Sequence, residues 1–227
     1  MSQFRVAAVI ADGIRFWPFG NGNRQTYLEC GKRVLDLALC LLVLPVVVLL
    51  VTALAAVVAI DGANPFFAHA RVGRGGASFG CFKLRTMVPD AQQRLDALLK
   101  ADPAARAEWA ETRKLARDPR VTPLGRFLRQ TSLDELPQLL NVLRGEMSLV
   151  GPRPVTADEL ARYGRHVDAY LALRPGLTGL WQTMGRNDVS YQRRVQLDCE
   201  YGRRTSLWLD LSILARTVTV VLRRTGL

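Results

Sequence analysis

The feature that most constrains this chain is residues 37–60, LALCLLVLPVVVLLVTALAAVVAI, an apolar run interrupted only by Pro45 and Thr52. At about 1.5 Å per helical residue the run is long enough to reach across a hydrocarbon core of about 30 Å. It therefore predicts a membrane helix. A secretory signal peptide fits poorly, because about thirty residues precede the run, its apolar core is too long and no clear small-residue cleavage site follows.

The charges around this helix leave its topology open. Lys32 and Arg33 precede it, and the residues that follow it include Arg71, Arg74, Lys83 and Arg85. A spanning helix would be expected to keep its basic residues on one flank. Pro45 removes one backbone hydrogen bond and predicts a kink. A bent, re-entrant helix would keep both flanks in the cytoplasm, whereas an ordinary spanning helix would tolerate the proline.

The charge balance narrows the class of partner. Lys and Arg number 31 against 20 Asp and Glu, a formal net charge of +11. This excess favours a polyanionic partner: nucleic acid, an anionic membrane surface or a phosphorylated substrate. The cysteines lack C-x-x-C spacing and the chain has only 2 histidines, so no zinc-ligand pattern forms. Reduced thiols in a protein facing the cytoplasm are the simpler interpretation.

Two adjacent carboxylates, Asp134 and Glu135, lie between apolar residues in TSLDELPQLLN. Ser132 and Glu135 have capping-box spacing, but Pro137 fits better if Asp134 caps the helix. Capping and chemistry both remain open from this stretch alone. Arginine forks bind phosphate oxygens at two points. The acid pair has such arginines near it in sequence: Arg126, Arg129, Arg144 and Arg153.

Other segments give weaker signals. DGANPFF predicts an irregular, interfacial stretch, and the glycine-rich RVGRGGASFGCFKLRTM lacks the spacing of a Walker loop or a dinucleotide fingerprint. Residues 90–100 and 104–115 predict two scaffold helices separated by Pro103. Residues 207–224 predict an amphipathic helix that packs on the core or lies in the headgroup plane. Its predicted apolar side comprises Leu207, Trp208, Leu211, Leu214, Ala215, Val218, Val221 and Leu222. Its predicted polar side comprises Asp210, Ser212, Arg216, Thr217, Thr219, Arg223 and Arg224.

Taken together, KRVLDLAL, FKLRTM, LRQTSLDELPQLLNVLRGEMSLVGPRP, RPGLTGLWQTMGRND and SLWLDLSIL resemble the bacterial sugar transferases, the monotopic phosphoglycosyl transferases. The resemblance covers residues 31–227. GLTGLWQ and GRNDVSY are similar to the branch that transfers galactose or glucose phosphate in exopolysaccharide synthesis. Many family members have a serine before the helix-breaking proline, where this chain has Leu44.

The resemblance implies a mainly α fold with irregular loops and few short strands. Its expected parts are an N-terminal extension (1–30), a re-entrant membrane helix kinked at Pro45 (31–61) and a cytoplasmic catalytic domain with amphipathic interfacial helices (62–227). Asp134 is implied as nucleophile and Glu135 as its partner. A Mg²⁺ site of Asp134, Glu135 and Asp198 is expected. The candidate phosphate-binding residues are Lys83, Arg85, Arg129, Arg153, Arg174 and Arg186.

The implied reaction is transfer of hexose-1-phosphate from a UDP-hexose to undecaprenyl phosphate, with release of UMP, as the first membrane step of glycan synthesis. The expected location is the cytoplasmic face of the bacterial inner membrane, in contact with its lipid. Candidate protein partners are a second copy of the chain, as a homodimer, and downstream glycosyltransferases. A non-catalytic membrane scaffold is the alternative. No nucleic-acid-binding motif is recognisable, so nucleic acid is not an expected partner.

Overall fold

The structure, a computed structural model, describes residues 25–112, 115–184 and 190–222. It is mostly helical with few short strands, as predicted. The helices are α1 (Lys32–Val58), α2 (Ala91–Ala101), α3 (Pro103–Thr112), α4 (Pro123–Thr131), α5 (Leu139–Arg144), α6 (Ala157–Leu160), α7 (Val167–Leu171), α8 (Leu180–Met184), α9 (Tyr191–Arg204) and α10 (Leu207–Leu222). The strands are β1 (Phe66–Val72), β2 (Ser78–Leu84), β3 (Ser148–Val150) and β4 (Gly176–Thr178). The two predicted scaffold helices correspond to α2 and α3.

Helix α1 contains the predicted membrane segment. It belongs to a continuous helical stretch, Tyr27–Asp61, and within the described residues this is the one helix long and apolar enough to cross a membrane. The helical assignment continues through Pro45, whose missing N–H leaves one carbonyl without its helical donor. The predicted kink there stays a prediction. The stretch ends at Gly62, whose φ of 79° suits a residue without a side chain.

One side of α1 packs against the rest of the molecule near both of its ends. Asp36 and Cys40 are buried near its start, and Ala55 and Val58 near its end. The opposite side is exposed and apolar, and its exposed residues include Leu41, Leu42, Val46, Val48 and Leu49. A helix that is apolar all round but buried on one stripe leaves a surface suited to lipid.

The glycine-rich stretch after α1 forms a β-hairpin. Strands β1 and β2 pair antiparallel, from Phe66 opposite Leu84 to Val72 opposite Ser78. The turn contains Gly75 and Gly76 with φ of 68° and 84°. A residue with a Cβ adopts these positive φ values only with strain, so glycine suits both positions of the turn. The sequence predicts an irregular stretch after the membrane helix. From Phe66 onward the structure has the first strand of this hairpin instead.

The second sheet brings two of the sequence motifs together. Strands β3 and β4 pair in parallel, with Ser148 opposite Gly176 and Val150 opposite Thr178. A Cβ on Gly176 would lie 2.1 Å from the backbone nitrogen of Gly151, so this close approach requires glycine. The main core lies beside this sheet and includes Phe79, Leu139, Val142, Met147, Trp181 and Ile213.

Helix α10 does not pack on the core with its predicted apolar side. Asp210 from its predicted polar side is fully buried, and Thr217 from the same side bonds Thr178 with its hydroxyl at 2.7 Å. Trp208 from the apolar side is 80% exposed, and Leu207, Leu211 and Val218 are also exposed. The side that faces the domain carries Asp210, which binds Lys32 at 2.6 Å, and Ile213, which packs in the main core. Most of the predicted apolar side therefore faces outward. Arg223 and Arg224 lie outside the described residues.

Candidate active site

The acid pair lies in a tight turn between two helices. Helix α4 ends at Ser132, and Asp134 and Glu135 then lie in a 3-10 helix, Leu133–Gln138, that leads into α5. Ser132 has a φ of 57° and makes no side-chain capping bond, so neither the capping box nor an Asp134 cap is formed. A serine in the left-handed region is strained, and such a conformation persists only where the surrounding structure holds the turn in place.

Lys83, at the end of β2, binds both carboxylates. Its Nζ lies 2.6 Å from Glu135 Oε1 and 3.6 Å from Asp134 Oδ2. Burial lowers the pKa of Lys83, but Glu135 and then Asp134 raise it by more, so its pKa lies above the usual value. The lysine is therefore a fixed positive charge at the acid pair. A fixed ammonium can bind a phosphate. The predicted role of Lys83 in phosphate binding stays a prediction.

Asp134 has the properties of a buried nucleophile. It is 6% exposed. Burial raises its pKa to about 6, a shift that Lys83 opposes and the charge of Glu135 adds to. The carboxylate is thus mainly ionised at neutral pH yet poorly hydrated. Such a group reacts more readily than one in bulk water, provided that nearby cations reduce the repulsion of an anionic substrate.

Arg129 is the second cation at this site. It lies in the last turn of α4, and its Nε donates a hydrogen bond to Thr86 Oγ1 at 2.9 Å. Burial lowers the pKa of its guanidinium, whereas the charge of Asp134 raises it. The acid pair therefore has Lys83 beside it and Arg129 within electrostatic range.

Arg153 lies farther along this basic region. Its side chain is exposed, and its guanidinium lies 5.8 Å from the ring centre of Trp181, with Arg194 4.7 Å from the same ring. The charge of Arg153 acts on both Lys83 and Asp198. Its predicted role at a phosphate stays a prediction.

Asp198 does not join the acid pair, so the structure does not form the predicted three-carboxylate metal site. It is buried in α9, where Oδ2 accepts a hydrogen bond from the Tyr163 hydroxyl at 2.8 Å. Burial raises its pKa to about 7, against the smaller effects of Tyr163 and Arg153. Within the described ranges no group of three or more His, Cys, Asp and Glu residues could hold a metal ion.

Two predicted phosphate ligands instead bind backbone carbonyls. Arg85 donates to Val58 O at 2.9 Å and forms an ion pair with Asp61 at 2.6 Å, which caps the end of α1. Arg174 donates to Gly145 O at 2.8 Å at the end of α5. Positive side chains stabilise the carbonyl end of a helix, and these arginines serve that structural purpose. Arg186 lies outside the described residues.

The acid pair fits a magnesium ion that is shared with a substrate. Two adjacent carboxylates supply hard oxygen ligands, and Mg²⁺ is commonly held by one or two carboxylates together with substrate phosphates. The absence of a third carboxylate nearby in the described chain argues against a cage made by protein alone. Asp134 and Glu135 are the residues that would hold the ion.

These features define a class of protein. A buried carboxylate beside fixed cations, in a small helical domain that carries one long apolar helix, is typical of an enzyme that acts on a phosphorylated substrate. The chain belongs to the bacterial sugar transferase family, whose model matches residues 27–224. The family resemblance seen in the sequence is thereby confirmed.

Three relatives of this chain have names that state an activity or a process. The UDP-galactose-lipid carrier transferase of Erwinia amylovora is 52% identical over 199 residues, 86% of this chain and 41% of the relative. The undecaprenyl-phosphate galactose phosphotransferase of Salmonella typhimurium is 52% identical over 195 residues, again 86% and 41%. The exopolysaccharide production protein ExoY of Rhizobium meliloti is 53% identical over 161 residues, 71% of each chain. The chain thus spans about two fifths of the first two relatives.

Proposed function

We propose that this chain transfers hexose-1-phosphate from a UDP-hexose to undecaprenyl phosphate and releases UMP. The observation that carries the proposal is the buried Asp134 carboxylate, held 3.6 Å from Lys83 Nζ in the electrostatic field of Arg129. The names of the Erwinia and Salmonella relatives supply the substrate class. The reaction would be the first membrane step of exopolysaccharide or related glycan synthesis, in which downstream glycosyltransferases use the lipid product.

The proposed chemistry has two displacements at one phosphorus. An oxygen of Asp134 attacks the sugar-bearing phosphorus, the bond to the bridging oxygen breaks, and UMP leaves with that oxygen. A phosphate oxygen of undecaprenyl phosphate then attacks the aspartyl phosphosugar and frees the Asp134 carboxylate. Lys83 and Arg129 reduce the charge repulsion between the anionic nucleophile and the diphosphate, which is the main catalytic task in phosphoryl transfer.

Magnesium is part of the proposal. When bound, Mg²⁺ would neutralise charge on the diphosphate and on the acid pair. In the structure Lys83 is bonded to Glu135 at 2.6 Å, so Glu135 has to share its carboxylate between the lysine and the ion. A Glu135→Gln variant distinguishes a role as magnesium ligand from a role as general base.

The experiment that tests the function separates an enzyme from a membrane scaffold. The purified protein is incubated with Mg²⁺, a panel of UDP-hexoses and undecaprenyl phosphate, and UMP release is measured. The proposal expects turnover with at least one sugar, glucose and galactose first. If the lipid is omitted, UMP should be released stoichiometrically and the peptide containing Asp134 should gain the mass of a hexose phosphate. A folded protein that releases no UMP with any sugar would favour the scaffold.

Replacing Glu135 with glutamine should lower the rate of UMP release by about a hundredfold or more, because the amide can neither hold Mg²⁺ by charge nor accept a proton. The rate should be measured as a function of Mg²⁺ concentration. Glu200→Gln is the matched control, since Glu200 pairs with Arg204 on the surface. An unchanged apparent Mg²⁺ affinity in Glu135→Gln would contradict the ligand role and favour the base.

We also propose that α1 is re-entrant, so that both of its ends lie on the cytoplasmic face of the inner membrane. Near the start, Asp36 accepts hydrogen bonds from Ser148 and from Leu149 N at 2.9 Å. At the end, Val58 packs with Leu84 and Leu128, and Arg85 caps its carbonyl. A straight crossing would carry one end to the other side of the membrane, so two attached ends support entry and exit through one face.

The flanking charges now support this topology less than the sequence suggested. Lys32 is paired with Asp210, and Arg85 with Asp61, so neither is available as a free charge to orient the helix. The support comes instead from the packing of both helix ends. The exposed apolar side chains of α10, together with those of α1, would then contact lipid.

Thiol labelling can test the topology. Cys30 is exposed just before α1, and Ala68 is exposed in the hairpin just after it. With Cys40, Cys81 and Cys199 replaced by alanine, we expect retained Cys30 and Ala68→Cys, each as the single thiol, to be shielded from an impermeant reagent in intact cells. Both should react after lysis. Labelling of only one of the two in intact cells would mean a spanning helix and would exclude the re-entrant arrangement.

A further inference from the structure

Arg129 is held at the candidate site by a neutral hydroxyl, through the hydrogen bond from its Nε to Thr86 Oγ1. Within the described part of the chain it forms no ion pair, although its guanidinium lies in the field of Asp134. The other acid that influences it, Asp118, is already bound by Arg120, with Nε to Oδ1 at 2.8 Å and Nη2 to Oδ2 at 2.7 Å. The guanidinium of Arg129 is therefore placed near the acid pair without being neutralised by a carboxylate contact.

The hydrogen bond from Nε to Thr86 is what fixes this guanidinium. Nε is the inner nitrogen of the planar fork, so a bond there sets the direction of the two outer nitrogens. Those outer nitrogens make no hydrogen bond to any residue in the described ranges. An arginine side chain has many rotamers, and the hydrogen bond at Nε restricts them before a ligand binds. Less side-chain conformational entropy is therefore lost on binding.

Thr86 is itself rigidly placed. It is 7% exposed, and its carbonyl accepts a hydrogen bond from Thr122 N at 3.1 Å at the start of α4. A Cβ on Gly125 would lie 2.0 Å from the same carbonyl, so the first turn of α4 rests directly on Thr86. The backbone of Thr86 thus holds the beginning of α4, and its hydroxyl holds Arg129 near the end of that helix.

We infer that Thr86 is a positioning residue for phosphate binding: its hydroxyl aims the outer nitrogens of Arg129 at the diphosphate of the donor substrate beside Asp134. This inference rests on the proposed function. Preorganised donors of this kind stabilise charge in the transition state because they need not reorient during the reaction. This role is not visible in the sequence, since a threonine next to Arg85 in FKLRTM carries no recognisable chemistry of its own.

The test compares Thr86→Val, which keeps the shape but removes the hydroxyl, with Thr86→Ser, which keeps the hydroxyl. Binding of UDP is measured by calorimetry and the rate of UMP release is measured separately. We expect Thr86→Val to weaken UDP binding and to lower kcat/KM by about tenfold, the size expected for one hydrogen bond to a charged group. Thr86→Ser should restore most of both. A Thr86→Val protein that binds UDP as tightly as the wild type would overturn the inference.

A double-mutant cycle separates positioning from a general effect on folding. In an Arg129→Ala background, Thr86→Val should cause no further loss, because the partner of the hydroxyl is already gone. An equal further loss in that background would show that Thr86 acts independently of Arg129 and would overturn the inference. If the wild-type protein binds UDP but releases no UMP with any sugar, the proposed reaction fails, while the binding measurements still decide the role of Thr86.

Discussion

Replacing Asp134 with asparagine should abolish UMP release and formation of the aspartyl phosphosugar, while the protein stays folded. The amide is nearly the same size as the carboxylate but is a very poor nucleophile. Loss of the nucleophile in covalent catalysis lowers the rate by several orders of magnitude, so we expect a decrease of at least about a thousandfold. The measurements are the rate of UMP release and the mass of the peptide that contains residue 134.

The fold of this variant should be preserved for a structural reason. Burial raises the pKa of Asp134 to about 6, so the pocket opposes the charged form and a neutral amide should be accommodated there. Asp158→Asn, at an exposed position in α6, is the matched control and should leave the rate unchanged. Substantial turnover by a folded Asp134→Asn protein would place the nucleophile on another residue, and the proposed chemistry would then be wrong.

The pKa also predicts how the activity should depend on pH. A protonated Asp134 is a much weaker nucleophile than the carboxylate, so the rate should fall as the pH decreases through about 6. This follows from the burial of the carboxyl group.

The sequence predicted the centre of the site better than its surroundings. Asp134, Glu135, Lys83 and Arg129 lie in short motifs, and the structure brings these residues together at the junction of β2, α4 and the 3-10 helix. The mainly helical fold and the long apolar helix were also predictable, because hydrophobicity and proline positions are local signals.

The arginines show where local reasoning fails. Arg85 and Arg129 both lie in recognisable motifs, yet Arg85 caps α1 whereas Arg129 lies near Asp134. A sequence states the charge of a side chain but not whether a helix end or a carboxylate will lie within reach. Asp198 was misassigned for the same reason, since its partner Tyr163 is 35 positions away along the chain.

Helix α10 illustrates a second limit. A helical wheel divides its apolar from its polar residues but cannot show which side meets the domain. Here the side that carries Asp210 and Ile213 meets the domain, because Ile213 packs in the main core and Asp210 forms a buried ion pair with Lys32 at the start of α1. The energetics of that pair can be tested directly.

Replacing Asp210 with asparagine should destabilise the protein more than the loss of any other single ion pair described above. Asp210 accepts hydrogen bonds from Lys32 Nζ at 2.6 Å, from the Tyr201 hydroxyl at 2.7 Å and from the Tyr27 hydroxyl at 2.7 Å. An amide presents an N–H₂ group to one of these donors and leaves the buried Lys32 ammonium without its ion-pair partner. Removing one partner of a buried pair typically costs about 3–5 kcal/mol.

The loss should be seen first at the base of α1. Cys40, one turn beyond Asp36, is fully buried against the domain, so the rate at which its thiol reacts reports separation of the helix. With Cys30 replaced by serine, we expect Asp210→Asn to unfold at a lower temperature in detergent and its Cys40 to be modified faster. Asp61→Asn at the other end of α1 is the matched control. Its pair with Arg85 is partly exposed, so its loss should destabilise the protein much less.

A second substitution distinguishes the buried charge from a simple loss of packing. If the unpaired lysine is the cause, Lys32→Met in the Asp210→Asn background should recover part of the lost stability, because the double variant no longer buries a charge. A double variant that unfolds more readily than Asp210→Asn alone would instead assign the effect to packing around Tyr201. In either case the packing at the start of α1 depends on Asp210 in α10, and that packing is one of the two attachments that support the proposed re-entrant topology.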